Sequence, residues 1–482
     1  MDHRFRKIPV GLIKLEEIPE RRLREEFKVI VDPFAYEAVS RLVPFTLRYE
    51  LEGWARSYYT LEKHVEAIEN YDRPKVSEPA DSAWNETKQM VLKMFKRFDS
   101  VDPISFYDFD KVKWIPSSAA GYGYVASKGE NDNYTKAKRT AVTIAEKLDH
   151  DRNYAPEALL QSTPDVAFTR TQLCQMKVKT KVRNVWGEAF HYVLLEGLFA
   201  DPLITAFKGI DSFYFIGRDP LLAVPLLIEE IVGSKDYVYQ FDWSAFDASV
   251  QEWEIRFAFQ CLECMLRFPS NIEAQIWRFI VELFIYRKIA GPNQVIYLKT
   301  HGIPSGSCFT NIIGSITNYV RIQYMFKTLT SNFAVVYTHG DDSLSGISST
   351  QYVRMADFQP ICDRYYWNIN TLKSEVSRRK ETTTFLSRTV REGQNARDEL
   401  TCLRMLVYPE YDVARGSLST LRAKSISRDA GINSHFLFKI YRYLQERYGC
   451  DQELPSHHQS WDPIEFDLRR YSYQEICNMQ SL

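Results

Sequence analysis

The sequence predicts an α+β fold with an antiparallel sheet and many helices, and three stretches carry that expectation. Residues 237–242, Tyr-Val-Tyr-Gln-Phe-Asp, are rich in β-formers and end on a carboxylate, and 251–268 follow with helical periodicity. Residues 310–327 read as a long helix that opens on small side chains. Residues 333–338 form a short apolar strand, 339–342 have turn chemistry, and 343–345 return as a second strand. The result is a hairpin with acids at its tip.

Elsewhere the pattern is plainer. Residues 1–70 alternate charged and apolar positions at helical spacing, best over 21–27 and 51–70, before Pro74, Pro79 and Pro103 punctuate a looser region. Residues 421–448 read as helical. There is no internal repeat, and no Gly-Lys pair from which a Walker phosphate loop could be built.

At 482 residues the chain is too long for one simple core and predicts several lobes. Hydrophobic residues at 45% and charged ones at 26% fit a soluble globular protein. A net charge of −1 argues against a surface coated with cations, so any nucleic-acid channel has to arise from local segregation of charge. The clearest candidate is 170–183, where Arg170, Lys177, Lys179, Lys181 and Arg183 occur without an acid, although such runs are usually solvated faces.

Eight scattered cysteines predict reduced thiols and an intracellular setting rather than a disulfide scaffold. Cys261 and Cys264 have metal-ligand spacing but no partner pair, which favours buried helix cysteines over zinc. The charged start, MDHRFRKIPV, lacks the apolar core of a secretory signal. The most apolar stretch, 221–228, is broken by Pro225 and bounded by Asp219 and Glu229, so no membrane anchor is expected.

The chemistry is carried by convergence of acids. Mg²⁺ takes carboxylate oxygens in near-octahedral geometry and tolerates little error, so its ligands must come from rigid supports. Asp242 at a strand end and Asp341-Asp342 at a neighbouring hairpin tip meet that need. Each signal alone is weak or moderate, since paired acids are commonly caps and Gly-Asp-Asp is commonly a plain turn. Their order is what discriminates: Asp242-x4-Asp247, then Gly302-Ile-Pro-Ser-Gly-Ser307 leading into Thr310, then Tyr337-Thr-His-Gly-Asp-Asp342.

In these motifs the sequence resembles the viral RNA-directed RNA polymerases, with motifs A, B and C in order. The wording Asp-Trp-Ser-Ala-Phe-Asp and Pro-Ser-Gly-Ser-Cys-Phe-Thr is most similar to small double-stranded RNA viruses, the partitivirus group first and the picobirnaviruses second. The resemblance covers about residues 115–390. It implies a closed right hand, with a bridging segment at 1–69, fingers at 70–236 and 260–300, palm at 237–259 and 301–392, and thumb at 393–482.

It also implies roles. Asp242, Asp341 and Asp342 would hold two Mg²⁺ ions, for which Mn²⁺ can substitute. Lys177, Lys179, Lys181 and Arg183 resemble motif F and would grip the triphosphate. Asp247, Ser305, Gly306, Thr310 and Asn311 would surround the nucleotide. The segment around Lys373 resembles motif D, whose lysine would protonate pyrophosphate. Ser117, Ser118 and Gly121 resemble motif G on the template, and Arg388 lies in a motif E likeness beside the primer strand. On the thumb, Arg422, Lys424 and Arg428 would face the product backbone.

One departure matters: many relatives carry Asn four residues after the motif B threonine, where this chain has Gly314, leaving Asn311 and Asn318 one turn to either side. RNA template and product, NTPs and a capsid protein are the implied partners, in the host cytoplasm within a virus particle. A reverse transcriptase, or an inactive palm serving as a structural protein, shares parts of the pattern. The former would typically carry a bulky residue at 247 and a different residue before the paired aspartates.

Overall fold

The strand at Tyr237–Gln240 is hydrogen-bonded on both sides, to Asp342–Ile347 and to Glu375–Ser377, with Val335–His339 outermost, giving a four-stranded sheet that is antiparallel throughout. Successive side chains leave on opposite faces, and both faces are covered. Val238 packs with Val224, Ile228 and Leu344 beside the helix Pro220–Ser234. Tyr239 enters the large core that holds Phe326 of the helix Thr310–Thr330.

In this computed structural model the described residues are 7–18, 28–151, 153–178, 180–348, 350 and 352–452. The helix expected at 21–27, Lys179 and the end of the chain from 453 lie outside them.

A second sheet of five strands runs in the order Leu12–Glu17, Val295–Lys299, Arg287–Ala290, Asp165–Thr171, Val182–Gly187, with one parallel pairing at its centre. The basic run 170–183 is therefore a hairpin stem, and Arg170 and Arg183 lie directly opposite each other on it. The N-terminal segment reaches two places. Its strand pairs with Val295–Lys299, while its helix Pro33–Leu42 packs Ala35, Ala38 and Val39 against Leu403, Leu406, Leu437 and Ile440. Asp32 caps that helix by accepting from the Phe34 and Ala35 amides at 3.1 and 3.0 Å.

Several sequence expectations need correction. The helix expected over 51–70 is confined to Leu61–Glu69, because Thr60 caps it by accepting from the Lys63 amide and the preceding Trp54–Ala55 pairs with Cys174–Gln175 instead. The stretch 421–448 is two helices, Gly416–Ala430 and His435–Tyr448. Arg422 and Arg428 do not face outward: Arg422 is ion-paired with Asp32 and donates to the Met405 and Leu406 carbonyls, and Arg428 lies 3.6 Å from Asp219. Among the described residues one helix, Phe190–Gly209, is long and apolar enough by composition to cross a membrane, and Leu194, Leu198 and Phe199 bury it in the main core. Cys261 is buried and Cys264 exposed at the end of Glu252–Glu263.

Candidate active site

Register brings the acids together. Tyr239 pairs with Ser345, Val238 with Gly346 and Tyr237 with Ile347, and continuing that antiparallel ladder sets Asp242 opposite Asp342. His339 pairs with Asp342, which leaves Gly340 and Asp341 as a two-residue turn. Gly340 has φ +60° and Asp341 does not share a positive φ, the type II′ pattern that favours glycine at the first central position.

The turn is held from below by one face of Thr310–Thr330. Ser315 Oγ accepts from the Gly340 amide at 2.8 Å. One turn on, the amide nitrogen of Asn318 donates to the Gly340 and Asp341 carbonyls at 3.0 and 2.9 Å and lies 3.4 Å from that of Asp342, while its Oδ1 accepts from the Trp243 indole at 3.0 Å. Another turn on, the Arg321 guanidinium bonds Glu254 and the Ser249 carbonyl and lies 5.0 Å from the Phe246 ring centroid, under the segment that carries Asp247. The backbone of Asp242 is fixed independently: its amide donates to Ser374 Oγ at 2.9 Å and its carbonyl accepts from the Asn370 amide at 2.8 Å.

Among the described residues, no cation forms an ion pair with Asp242, Asp341 or Asp342. Asp341 and Asp342 are exposed, but Asp342 lies in a cleft where water reaches it and protein still surrounds it. Burial, then Asp341 and Asp242, push its carboxyl up to about 7 against the opposing charge of Arg183. Asp247 accepts a short hydrogen bond from Ser305 Oγ, and burial with the Asp341 charge pushes it up to about 6, again opposed by Arg183. Arg183 is thus within electrostatic reach of both, and its own Nε and Nη2 lie 2.7 and 3.0 Å from the amide oxygen of Gln172 in the side-chain orientation that satisfies both groups.

Ser305 sits on a 302–308 loop shaped by close contact. Gly306 has φ +136°, and a Cβ there would lie 2.3 Å from the Trp186 carbonyl oxygen. The Trp186 amide donates to the Ser305 carbonyl at 2.7 Å, the Tyr71 hydroxyl to the Ile303 carbonyl at 2.6 Å, and the Gly306 amide to Thr310 Oγ1 at 3.1 Å. Asp247, Ser305, Gly306, Thr310 and Arg183 therefore belong to one neighbourhood with the three palm acids.

The other sequence-predicted residues are more spread out. Asn311 accepts from the Tyr214 hydroxyl at 2.7 Å and meets His339 at 3.3 Å, on the hairpin side rather than against Asp247. Gly314 lies where an added Cβ would be 3.6 Å from the Gly340 Cα, in contact with the turn itself. Lys373 is exposed on the loop whose Asn370 and Ser374 grip Asp242, and Lys177 and Lys181 are exposed at the hairpin of the five-stranded sheet. Ser118 accepts from Lys128 at 2.8 Å beside the exposed Ser117, and an added Cβ at Gly121 would lie 2.7 Å from the Glu188 carbonyl oxygen. Arg388 is ion-paired with Asp429 of Gly416–Ala430.

Sequence reasoning missed Ser315, Ser374, Arg321 and Glu196. For Glu196 a signal was present, a single acid inside an apolar helix. Among the described residues, the one group of three His, Cys, Asp or Glu ligand atoms within 4.8 Å of one another is Glu188, Glu196 and Cys308, away from the palm acids. Arg287 already occupies it, bonding Glu188 at 3.0 Å and Glu196 at 2.7 Å. We therefore read it as an ion-pair network.

An RNA-directed RNA polymerase of Cryptosporidium parvum virus 1 (strain KSU-1) is 31% identical over 197 residues, 39% of this chain and 36% of that protein. The genome polyprotein of human hepatitis A virus genotype IB (isolate MBB) is 26% identical over 218 residues, 42% of this chain and 10% of the polyprotein. The match thus spans little more than a third of the first relative. The crystal structure of an insertion-loop deletion mutant of a human picobirnavirus RNA-dependent RNA polymerase superposes with a TM-score of 0.66 at 17% identity, covering 94% of this chain and 90% of that one. With residues 30–445 matching the viral RNA-dependent RNA polymerase family, the chain belongs to that family.

Proposed function

We propose that the chain is an RNA-directed RNA polymerase that transfers nucleotidyl groups from NTPs to an RNA 3′-hydroxyl in copying a viral RNA genome. The observation that carries this reading is the ladder that sets Asp242 opposite Asp342 beside Asp341, with Arg183 within reach of the same charges. The fold supports a right-hand division close to 70–236 and 260–300 for fingers, 237–259 and 301–392 for palm and 393–482 for thumb, with 1–69 bridging through its strand and its helix.

Polymerases of this family use divalent metals. The donor set fits them: three hard carboxylate oxygen donors on two backbone-anchored segments, two of them exposed and none ion-paired among the described residues. Two Mg²⁺ ions, with Mn²⁺ as substitute, held by Asp242, Asp341 and Asp342 would supply a more nucleophilic hydroxyl and neutralise leaving-group charge. Arg183 with Lys177, Lys179 and Lys181 grips the triphosphate. Arg170 directly opposite Arg183 supports this, because facing like charges on a strand pair cost ~0.2–1 kcal/mol unless an anion lies between them.

Lys373 donates a proton to pyrophosphate from a loop whose neighbours fix Asp242, an effect worth about 10²–10⁴-fold. Asp247 and Ser305 face the ribose, with Gly306 and Thr310 shaping the loop behind them. Asn311, which is exposed, is the better amide to assist, since Asn318 is fully buried. Ser117, Ser118 and Gly121 guide template, and Arg388 braces its strand segment against the thumb helix where product leaves. The similarity to viral polymerases extends the reading to work in the host cytoplasm, inside a particle whose capsid protein is a partner. Incubation with a homopolymeric RNA template, four ribonucleotides and Mg²⁺, with and without primer, should yield template-complementary RNA. No incorporation with either Mg²⁺ or Mn²⁺ overturns the reading.

A further inference from the structure

We infer that Glu196 is a positioning residue for sugar selection: from the fingers side it sets the 302–308 loop so that Ser305 reaches Asp247. The inference rests on the reading of Asp247 and Ser305 as the ribose-facing pair.

Glu196 is 0% exposed in the middle of an apolar helix, a place where a carboxylate is tolerated only if both oxygens are occupied. They are, and by different partners. Oε1 accepts from Arg287 at 2.7 Å, while Oε2 accepts from Ser307 Oγ at 2.7 Å and from the Cys308 amide at 2.9 Å. The opposite end of the loop is held by a buried lysine: Lys299 Nζ donates to the Gly302 carbonyl and the Ile285 carbonyl, each at 2.8 Å. Ser305 lies between these anchors, and its hydroxyl bonds Asp247. Only Gly306 separates it from Ser307, too little chain to absorb a shift of the anchored end without moving the hydroxyl. Glu196 touches no palm acid, so its influence on substrate passes through the loop.

The test compares kcat/KM for a ribonucleotide and its deoxy analogue. This ratio does not depend on the fraction of enzyme that is folded, so a merely structural role leaves it unmoved. In Glu196→Gln the side-chain amide must face either Arg287 or the loop donors, and one side loses its acceptor. Ser307→Ala removes the loop bond while leaving the ion pairs intact, and Ser307→Thr restores a hydroxyl. Glu196→Gln and Ser307→Ala should each narrow ribose preference by about tenfold, Ser307→Thr should recover most of it, and neither should narrow it further when combined with Ser305→Ala. If Ser305→Ala narrows the ratio while Ser307→Ala leaves it at the wild-type value, the role of Glu196 is overturned and the ribose reading stands. If Ser305→Ala itself leaves the ratio unchanged, the ribose reading fails and Glu196 falls with it. Should Glu196→Gln fail to fold, the Ser307 pair decides.

Discussion

Two acid clusters are joined by the 302–308 loop, and they meet the same repulsion in opposite ways. In the fingers, Asp165, Glu188 and Glu196 are at most 1% exposed around Arg287, which pairs with all three. Burial pushes Asp165 up to about 6 and Glu188 well above the usual carboxylate range. In the palm, no cation among the described residues is paired with Asp242, Asp341 or Asp342, and two of the three face solvent. A cluster closed by its own arginine is structural. One left open is built for charge that arrives from outside.

The largest effect should come from the open cluster. Asp341→Ala should lower nucleotide incorporation by at least ~10²–10³-fold while leaving the fold intact, as single-turnover assays and circular dichroism will show. Retention of more than about a tenth of the activity removes Asp341 from the metal ligands. Arg287→Met should do the reverse, destabilising the protein by about 3–5 kcal/mol in urea unfolding because buried acids lose their cation. A loss below about 1 kcal/mol would mean that the fingers acids are not neutralised by Arg287 and that the contrast is false.

Asn318→Ala strips partners from the turn carbonyls and from Trp243, so stability should drop by about 1–3 kcal/mol and kcat should fall with it. Ribose preference should not change, and a change there makes Asn318 the sugar sensor. Arg183→Ala should raise KM about tenfold for all four nucleotides alike, since phosphate contacts carry no base information. An effect confined to one nucleotide places Arg183 on a base instead.

The smallest effect is in pH. The raised folded-state values of Asp247 and Asp342 favour protonation in the folded protein, so their contribution is fully present below the unfolded value of about 3.9 and is lost as pH rises through about 6 to 7. In EDTA the melting temperature should therefore fall between pH 5.5 and 8 beyond any change seen in Asp342→Asn, and Mg²⁺ should raise it more at pH 8. Equal Mg²⁺ shifts at both values would break the link between open charge and metal.

The two clusters also differ in how legible they were. Strand 237–240, the hairpin and its acids are written in residues a few positions apart, so turn chemistry and alternation suffice. The five-stranded sheet was missed because Leu12 pairs with Lys299, and no local pattern encodes a partner so far away. Of the fingers acids, Glu196 stands out as a single acid in an apolar helix, but Asp165 and Glu188 look like ordinary surface charges until the fold turns them inward. Arg422 misled for the same reason, its acceptor Asp32 lying far off at the opposite end of the chain.

The bonds of Asn318 also set terms for divergence. It meets residues 340–342 only through their backbone carbonyls, so Asn318 itself places no demand on the side chains of that turn, which are fixed instead by the positive φ of Gly340 and by the metal-ligand role proposed for the two aspartates. Trp243 is different, because its indole N–H is matched to the Asn318 oxygen in the closed interior. Among relatives, positions 243 and 318 should covary, a polar donor and its acceptor being gained or lost together, whereas a change at 318 should bring no matching side-chain change at 340–342.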